Sequence, residues 1–493
     1  MKICLLYPKW TGGYGKFSHF ADKSSSWPPL HLAILAAIAE QKGHEIKLID
    51  GQIENMSLGE MVSQASEFKP DIIGITATTP FYHIAVDLAC LLKKCLPKVP
   101  IAIGGHHITV TKEQAFFSQF DYAFIGEAEI SWSQFLDSFE KRESLSSVEG
   151  ILYRENGKVV LNGKGKVFQD MDSLPLPARH LYKIEKYKMG TLKGVKNFTT
   201  VMTTKGCPFK CTFCTTEVSG NTVRKRSPKR VIDEIKSLID RYNIRHFLFL
   251  DDTLTLNRKH ILEICDLIVE ENLDITFEGS TRANLVDEEI ISKMTRAGLT
   301  RLSFGLESVD ENIRRLMKKE VPLEAYLKAN KLTNKFKIET MNSCMIGMPG
   351  ETVETVCKTL SFLRKSHEIK QANLAIAVPY PGTELYEMAK KGDHGLKLLI
   401  DDFTKFRRYN SAVMKVGDLT PEDLVQLQND AFVSIYLMPW RWISMYKRSG
   451  IYGLLLTFSR IKRSVLSGKI NFITNKPREK RFLSKLGKNL YSF

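Results

Sequence analysis

The sequence predicts an α/β protein: an N-terminal doubly wound parallel sheet, then a partial β/α barrel, then a helical C-terminal segment. Three observations predict it. Short apolar strands alternate with helical stretches from residue 1 to about 145, and again from about 196 to 410. Three cysteines crowd one loop just after the first strand of the second alternation, on the side where a β/α barrel keeps its chemistry. From residue 411 to 493 the chain turns helical and basic.

The elements follow in order. KICLLYP reads as a short apolar strand, and PPLHLAILAAIAEQKG as a helix with proline at its start and Gly43 at its end. HEIKLID and DIIGITAT are strands, IAVDLACLLKKCL a helix, IAIGG and YAFIGE strands. Ligands of such sheets sit beyond the C-terminal ends of the strands. Those ends carry Thr76, Thr78 and Thr79, then Gly104, Gly105 and His106, then Gly126 and Glu127. Residues 146–195 read as a connector, with a hairpin turning at Asn156-Gly157 and a Pro-rich extended LPLPARHLY. The second alternation, 196–410, offers the strands FTTVMTT, HFLFLDD, TFEGSTRA, RLSFGLES, TMNSCMIG and ANLAIAVP, separated by helices such as SPKRVIDEIKSLIDRY and DEEIISKMTRAG.

A chain of 493 residues with 43% hydrophobic content buries sizeable cores without disulfides. Its nine cysteines and a first strand in place of a signal peptide argue against a secreted disulfide scaffold. No apolar run approaches the ~18–20 residues that cross a bilayer. A reducing, cytoplasmic setting is expected, with peripheral contact at the inner membrane face as a further expectation. The net charge of +16 is uneven: from Arg441 to Phe493 there are 13 Lys/Arg and one acid, Glu479, a net +12 that leaves +4 for the first 440 residues.

The string KGCPFKCTFCTTE spaces Cys207, Cys211 and Cys214 as Cys-x3-Cys-x2-Cys. Thiolates select iron–sulfur clusters or zinc. Structural zinc usually takes four ligands, often as two Cys-x2-Cys pairs, whereas no fourth Cys or His follows nearby here. Three thiolates on a 4Fe–4S cluster leave one iron open for a substrate. Three unrelated cysteines, or a zinc loop completed by a distant histidine, are the competing readings. Cys4, Cys90, Cys95, Cys265, Cys344 and Cys357 lie in apolar elements and read as core.

These residues resemble the radical S-adenosylmethionine (SAM) superfamily, whose Cys-x3-Cys-x-aromatic-Cys motif takes Phe213 in its aromatic slot. The similarity continues through LFLDDTLTLN, with Asp251 and Asp252, and GSTRANLVDEEIISKMTRAGLTRLSFGLES, with Arg282, Glu307 and Ser308 at strand ends. MIGMPGET and VPYPGTELYEMAK look like the family's fifth- and sixth-strand motifs. The resemblance implies that the open iron takes the amine and carboxylate of SAM. Glu307 would meet the amine or ribose, Arg282 a carboxylate, and Gly347 and Gly350 would admit the adenine edge. Asp251 and Asp252 as helix N-caps and Glu307 as a structural ion pair stand as alternatives.

PPLHLAILAAIAEQKGHEIKLID, ITATTP, AIGGHHIT and FIGEAE in turn resemble the cobalamin-binding domain fused to many radical SAM enzymes, so the resemblance covers about residues 1–410. It departs at one point. The Asp-x-His-x2-Gly string that supplies a lower cobalt ligand is missing, and Asp50-Gly51-Gln52 has no histidine beside it. Cobalamin without a protein histidine as lower ligand is therefore implied, with His106 and His107 as contacts to its nucleotide tail. An α/β domain with no cofactor is the alternative.

In the C-terminal region Ile451, Leu454, Leu455, Phe458, Ile461 and Val465 share one helical face, with Trp440 and Trp442 preceding them. A basic amphipathic helix with aromatics suits a membrane interface; an ordinary helix packed on the barrel explains the pattern equally. Nucleic acid is disfavoured, because no RNA-binding motif accompanies the charge.

The family resemblance implies an enzyme that cleaves SAM reductively at a 4Fe–4S cluster and, with cobalamin, methylates an unactivated carbon of a small-molecule, lipid or isoprenoid-like substrate. Flavodoxin or ferredoxin would donate the electron. A radical cyclase, oxidase or carbon–carbon coupling enzyme without methyl transfer is the alternative. A tRNA-modifying enzyme or a non-catalytic cobalamin or metal sensor fits less well. The first lacks its extra cluster cysteines and C-terminal β-barrel here, and the second has no need of the strand-end series from Asp251 to Glu307.

Overall fold

The computed structural model describes residues 1–11, 26–187, 189, 195, 197–215, 218 and 220–466. The chain divides into two compact units. The first holds Met1–Gly190, Lys196–Pro208 and Thr215–Leu248; the second holds Thr191–Val195, Phe209–Cys214 and Phe249–Phe493.

In the first unit a seven-stranded sheet runs in the order Glu45–Asp50, Lys2–Tyr7, Ile72–Thr76, Ile101–Gly104, Tyr122–Phe124, Ile151–Glu155, Lys158–Asn162. The first five strands pair in parallel. The order reverses between Lys2–Tyr7 and Ile72–Thr76, which is where a doubly wound sheet opens its crevice. Leu30–Gln41 is apolar almost all round and buries Leu30, Leu32, Ala33, Ile34 and Ala36–Ala39, as expected of a helix enclosed in a core. A second helix, Leu58–Phe68, was legible in sequence only through its capping box. Ser57 accepts from the Glu60 N–H, and the Glu60 side chain answers the Ser57 N–H.

The hairpin expected within the connector does more than connect. Ile151–Glu155 pairs antiparallel with Tyr122–Phe124, and Lys158–Asn162 adds the last strand of the same sheet. The inward residues Ile151, Leu152 and Tyr153 are buried, so the hairpin completes the first unit's core.

All six strands expected of the second alternation form. Thr199–Val201 and His246–Phe249 are neighbours. Thr276–Thr281, Leu299–Glu307, Glu339–Ile346 and Gln371–Ile376 pair in parallel in chain order. Thr199–Val201 and Gln371–Ile376 each have one strand neighbour among the described residues, so the barrel is partial and open.

The C-terminal region is helical. Pro421–Tyr436 starts on a Thr420/Asp423 capping box. Pro439–Leu466 is broken at Gly450, whose φ of 63° and ψ of −165° lie outside the helical region. The part before that kink is tied to the barrel's N-terminal rim. Arg448 donates to Glu278 at 2.8 Å and to Glu339 at 2.5 Å, and the buried Arg441 donates to the Leu363 and Lys370 carbonyls at 2.6 and 3.1 Å.

Candidate functional site

The C-terminal strand ends of the first unit surround a cavity of about 520 Å³. Thr76, Thr78, Gly104, Gly105, His106, Gly126 and Glu127 all line it. Its walls are mostly apolar, with Leu5, Ile75, Leu32, Leu35, Ile103 and Trp132 facing inward. Gly105 has φ +106°, and a Cβ there would stand 2.4 Å from the Ala77 carbonyl oxygen, so only glycine lets these two loops approach. Around Gly104 and Gly126 a Cβ would meet open space. An apolar cleft with a glycine rim fits a large planar or extended ligand entering between sheet and helices.

Two of the residues expected at this cavity already have partners in the protein. Glu127 is held by its own protein: Arg224 grips both carboxylate oxygens at 2.7 Å and Lys205 approaches to 3.2 Å. That carboxylate shapes the rim, and its charge is already matched. His107, one residue past His106, turns into the core. Its Nδ1 lies 3.3 Å from the Thr79 hydroxyl, its ring 4.4 Å from Tyr82, and burial pushes its pKa down to about 4. The cavity contains a histidine that sequence reasoning passed over. His31, on the first turn of Leu30–Gln41, opens into it beside Tyr7. Desolvation beside the cavity wall, then His106 and Lys205, pull its pKa down to about 4, while the side chain stays open to the cavity. The loop at Asp50–Gln52 is fully engaged: Asp50 accepts from the Gln52 and Ile53 N–H groups, and Gln52 from the Trp10 and Thr11 N–H groups.

Cys207 follows the short strand Thr204–Lys205, half-buried, its N–H bonded to the Gly220 carbonyl in the first unit. Cys211 and Cys214 belong to the second unit, half-buried and exposed respectively. Their segment is pinned by main-chain bonds: the Thr212 N–H donates to Met317, the Leu385 N–H to Thr212, and the Cys214 N–H to Cys211, at 2.8–3.0 Å. Phe213 packs against a core that includes Ile313, Met317, Met348 and Leu385, which explains the aromatic between the second and third cysteines. Among the described residues no three Cys, His, Asp or Glu side chains converge on one point for a single metal ion. Of the other six cysteines, Cys4, Cys265 and Cys344 are core; Cys90 and Cys357 are half-buried, and Cys95 is exposed at a helix end.

The strand ends of the second unit are more varied. Asp252 is exposed and Asp251 buried. Neither caps a helix, because the next helix starts at Arg258 on an Asn257 cap. Arg282 is buried directly after Thr276–Thr281, with its guanidinium 3.7 Å over the Phe209 ring. Among the described residues its Nε has no hydrogen-bond partner, and an orphaned buried donor is costly unless a ligand answers it. Glu307 ends Leu299–Glu307 with φ +62°, after a register shift, and pairs with Lys319 at 2.6 Å. The ion-pair alternative is thus realised, at a strand end that still faces the chemistry. Ser308 is fully buried; its hydroxyl lies 3.4 Å from Thr359 and takes the Asp310 N–H at 3.2 Å.

Gly347 has φ +89°, and its N–H donates to Glu351 at 2.5 Å; the Met348 N–H reaches the same oxygen at 3.1 Å. Glu351 sits inside the motif MIGMPGET, yet only its burial reveals it as the brace of that loop. Burial pushes its carboxyl up to about 8 against the pull of these N–H donors. A raised carboxyl pKa favours the fold fully below the unfolded value of 4.5, and that advantage is lost as pH rises to about 8. Because a single oxygen accepts both N–H groups, Glu351→Gln keeps the brace. The variant is expected to lose this fall in stability, read from urea midpoints at both ends of the window; an unchanged slope would count against the assignment.

A partial β/α barrel with three cysteines on the loop after its first strand, preceded by a doubly wound sheet with a glycine-rimmed cavity, defines a radical enzyme with a second cofactor-binding unit. The comparisons agree. The family model for the radical SAM superfamily matches residues 201–363, and that for the B12 binding domain matches residues 21–135. A protein named as an uncharacterized methyltransferase in Pyrococcus horikoshii is 35% identical over 89% of this chain and 93% of its own. The anaerobic magnesium-protoporphyrin IX monomethyl ester cyclase of Rubrivivax gelatinosus is 27% identical over 84% of this chain and 74% of its own. The solved radical SAM methyltransferase TsrM of Kitasatospora setae, with cobalamin and an iron–sulfur cluster bound, superposes with a TM-score of 0.69 at 15% identity, covering 89% of this chain and 90% of that one. That likeness is one of fold. The chain belongs to the cobalamin-binding radical SAM enzymes.

Proposed function

We propose that this protein is a cobalamin-dependent radical SAM methyltransferase that methylates an unactivated carbon of a small apolar substrate, lipid or isoprenoid in kind. The observation that carries the reading is the Cys207–Cys214 segment, whose second and third cysteines are pinned by Thr212 and Phe213, on a chain whose first sheet rims a glycine-lined cavity. Cys207, Cys211 and Cys214 are assigned as ligands of a 4Fe–4S cluster. When bound, the cluster and SAM supply a carbon-centred radical, and cobalamin supplies the methyl group.

The residues divide the work. Arg282, whose buried Nε lacks a partner among the described residues, would hold the carboxylate of SAM. Glu307, with its charge set by Lys319, and Asp252 meet the amine and ribose hydroxyls. Gly347 admits the adenine edge on the loop that Glu351 braces. Thr76, Thr78, Gly104, Gly105, His106 and Gly126 would hold cobalamin at the cavity rim, and the Asp50–Gln52 loop offers no histidine as a ligand to it. Phe213 fixes the cluster loop by packing. A small reductant protein, flavodoxin or ferredoxin, is the assigned electron donor, in a cytoplasm that keeps the thiols reduced.

The test is anaerobic reconstitution with iron, sulfide and cobalamin, followed by assay of SAM products. Both 5′-deoxyadenosine and S-adenosylhomocysteine are expected once a methyl acceptor is supplied. 5′-Deoxyadenosine alone, with a substrate that is turned over, would favour the cyclase reading, which the Rubrivivax relative keeps in view. Absence of 5′-deoxyadenosine with every reductant would overturn both.

A further inference from the structure

We infer that the part of the C-terminal helix beyond Gly450 is a docking face for an anionic membrane surface. The inference stands apart from the reaction assigned above. Thirteen large apolar side chains are exposed among the described residues, and seven of them fall between Leu437 and Phe458. Such crowding on one short stretch marks an interaction surface, whereas scattered exposed apolar residues need no explanation.

The structure divides the apolar face read from the sequence. Ile461 is buried against Val433, with Phe432 and Tyr436 beside it, and the Arg460 guanidinium stacks 3.8 Å over Phe432. The helix is therefore already seated on its own protein. Ile451, Leu455 and Phe458 lie on another side, at i, i+4 and i+7, and remain 62%, 59% and 38% exposed. Ile443, just before the kink, is 62% exposed, and Trp442 packs edge-on against Phe458 at 5.2 Å. Arg441 and Arg448 lock the preceding turns to the barrel, so the stripe is presented from a fixed base.

Charge selects the occupant. Lys447 and Lys462 are exposed on this helix, and the chain from Arg441 onward carries 13 Lys/Arg against one acid. An apolar stripe flanked by cations fits a bilayer interface, where the stripe sinks among acyl chains and the cations pair with anionic headgroups. A second copy of the chain would set these cations against their own kind. No helix among the described residues is long and apolar enough to cross a membrane, so the contact is peripheral.

The experiment is vesicle flotation of the full-length reconstituted protein. It is expected to float with phosphatidylglycerol-containing vesicles, less with phosphatidylcholine alone, and less at high salt. The double variant L455E/F458E is expected to bind on the order of tenfold more weakly, with cluster absorbance unchanged and melting lowered only by the loss of the Phe458–Trp442 contact. The milder I451S/L455S should fall between. Brominated lipid should quench tryptophan emission in the native chain and less in the double variant. Flotation that ignores the substitutions, no flotation with phosphatidylglycerol vesicles, or a dimer that the substitutions dissolve would each overturn the inference.

Discussion

Cys211→Ala is expected to leave the reconstituted protein without its broad visible absorbance, without a stoichiometric four irons, and without 5′-deoxyadenosine formation above background. Removing one of three thiolates leaves two, and the sequence offers no fourth cysteine nearby to replace it. Fold loss is not the cause to fear. The main chain directly after Cys211 is held independently, through Thr212 to Met317 and Leu385 and through the packing of Phe213. The variant should therefore melt like the cluster-free native chain. Cys265→Ala is the contrast. That thiol is 1% exposed in a helix core, and burial pushes its pKa up to about 12, so it is a packing group that no metal can easily claim. Its replacement should cost some stability and no iron. Full iron and full absorbance in Cys211→Ala would sink the assignment of Cys211 as a ligand.

The contrast between Cys211 and Cys265 shows what the sequence made legible. Spacing is local, so a Cys-x3-Cys-x2-Cys loop after a strand can be read without coordinates. So can the strand ends of a doubly wound sheet, because an apolar run closed by Gly104-Gly105 has one obvious direction. Long-range partners have no such signal. Glu127 looks like a free strand-end carboxylate until Arg224, 97 residues later, takes both of its oxygens. Ser308 looks like a ligand until Thr359 is seen beside it. His106 and His107 are indistinguishable in a string; the helical turn that starts at His106 sends one to the cavity and the other under Tyr82. The hairpin at Asn156-Gly157 was read correctly as a hairpin, but an antiparallel edge strand on a parallel sheet is decided by partner surface, which the string does not carry. His31 and Glu351 were missed because each sits in an element with an ordinary explanation, an apolar helix and a glycine turn; the cavity that His31 lines and the burial of Glu351 set them apart.

Lys319→Met is expected to destabilise the protein by about 3–5 kcal/mol, the usual result of leaving one member of a buried ion pair without the other. Lys319 is 8% exposed and Glu307 6%. Their contact at 2.6 Å exists because Gly305 makes room: a Cβ there would stand 2.4 Å from both the Glu307 carboxylate and the Lys319 ammonium. Burial alone would lower the lysine's pKa, but Glu307 more than offsets it, and the net direction is upward. A raised lysine pKa gives stability that is fully present below the unfolded value of about 10.4 and is lost only as pH rises through the folded one. The lysine shift in the native pair should therefore add no slope across neutral pH, unlike the one assigned to Glu351; the deficit in Lys319→Met should shrink as acid relieves the uncompensated carboxylate. Urea unfolding at several pH values measures it, and a loss below about 1 kcal/mol would mean that the pair is weak, as exposed pairs are. The double variant E307Q/K319M separates structure from function. With both charges gone, most of the stability should return, since a neutral buried pair carries no uncompensated charge. SAM affinity should stay low, because the carboxylate assigned to the amine and ribose is missing. Recovery of SAM binding along with stability would reduce Glu307 to a structural partner of Lys319 and move the recognition of SAM to Arg282 and the Gly347 loop.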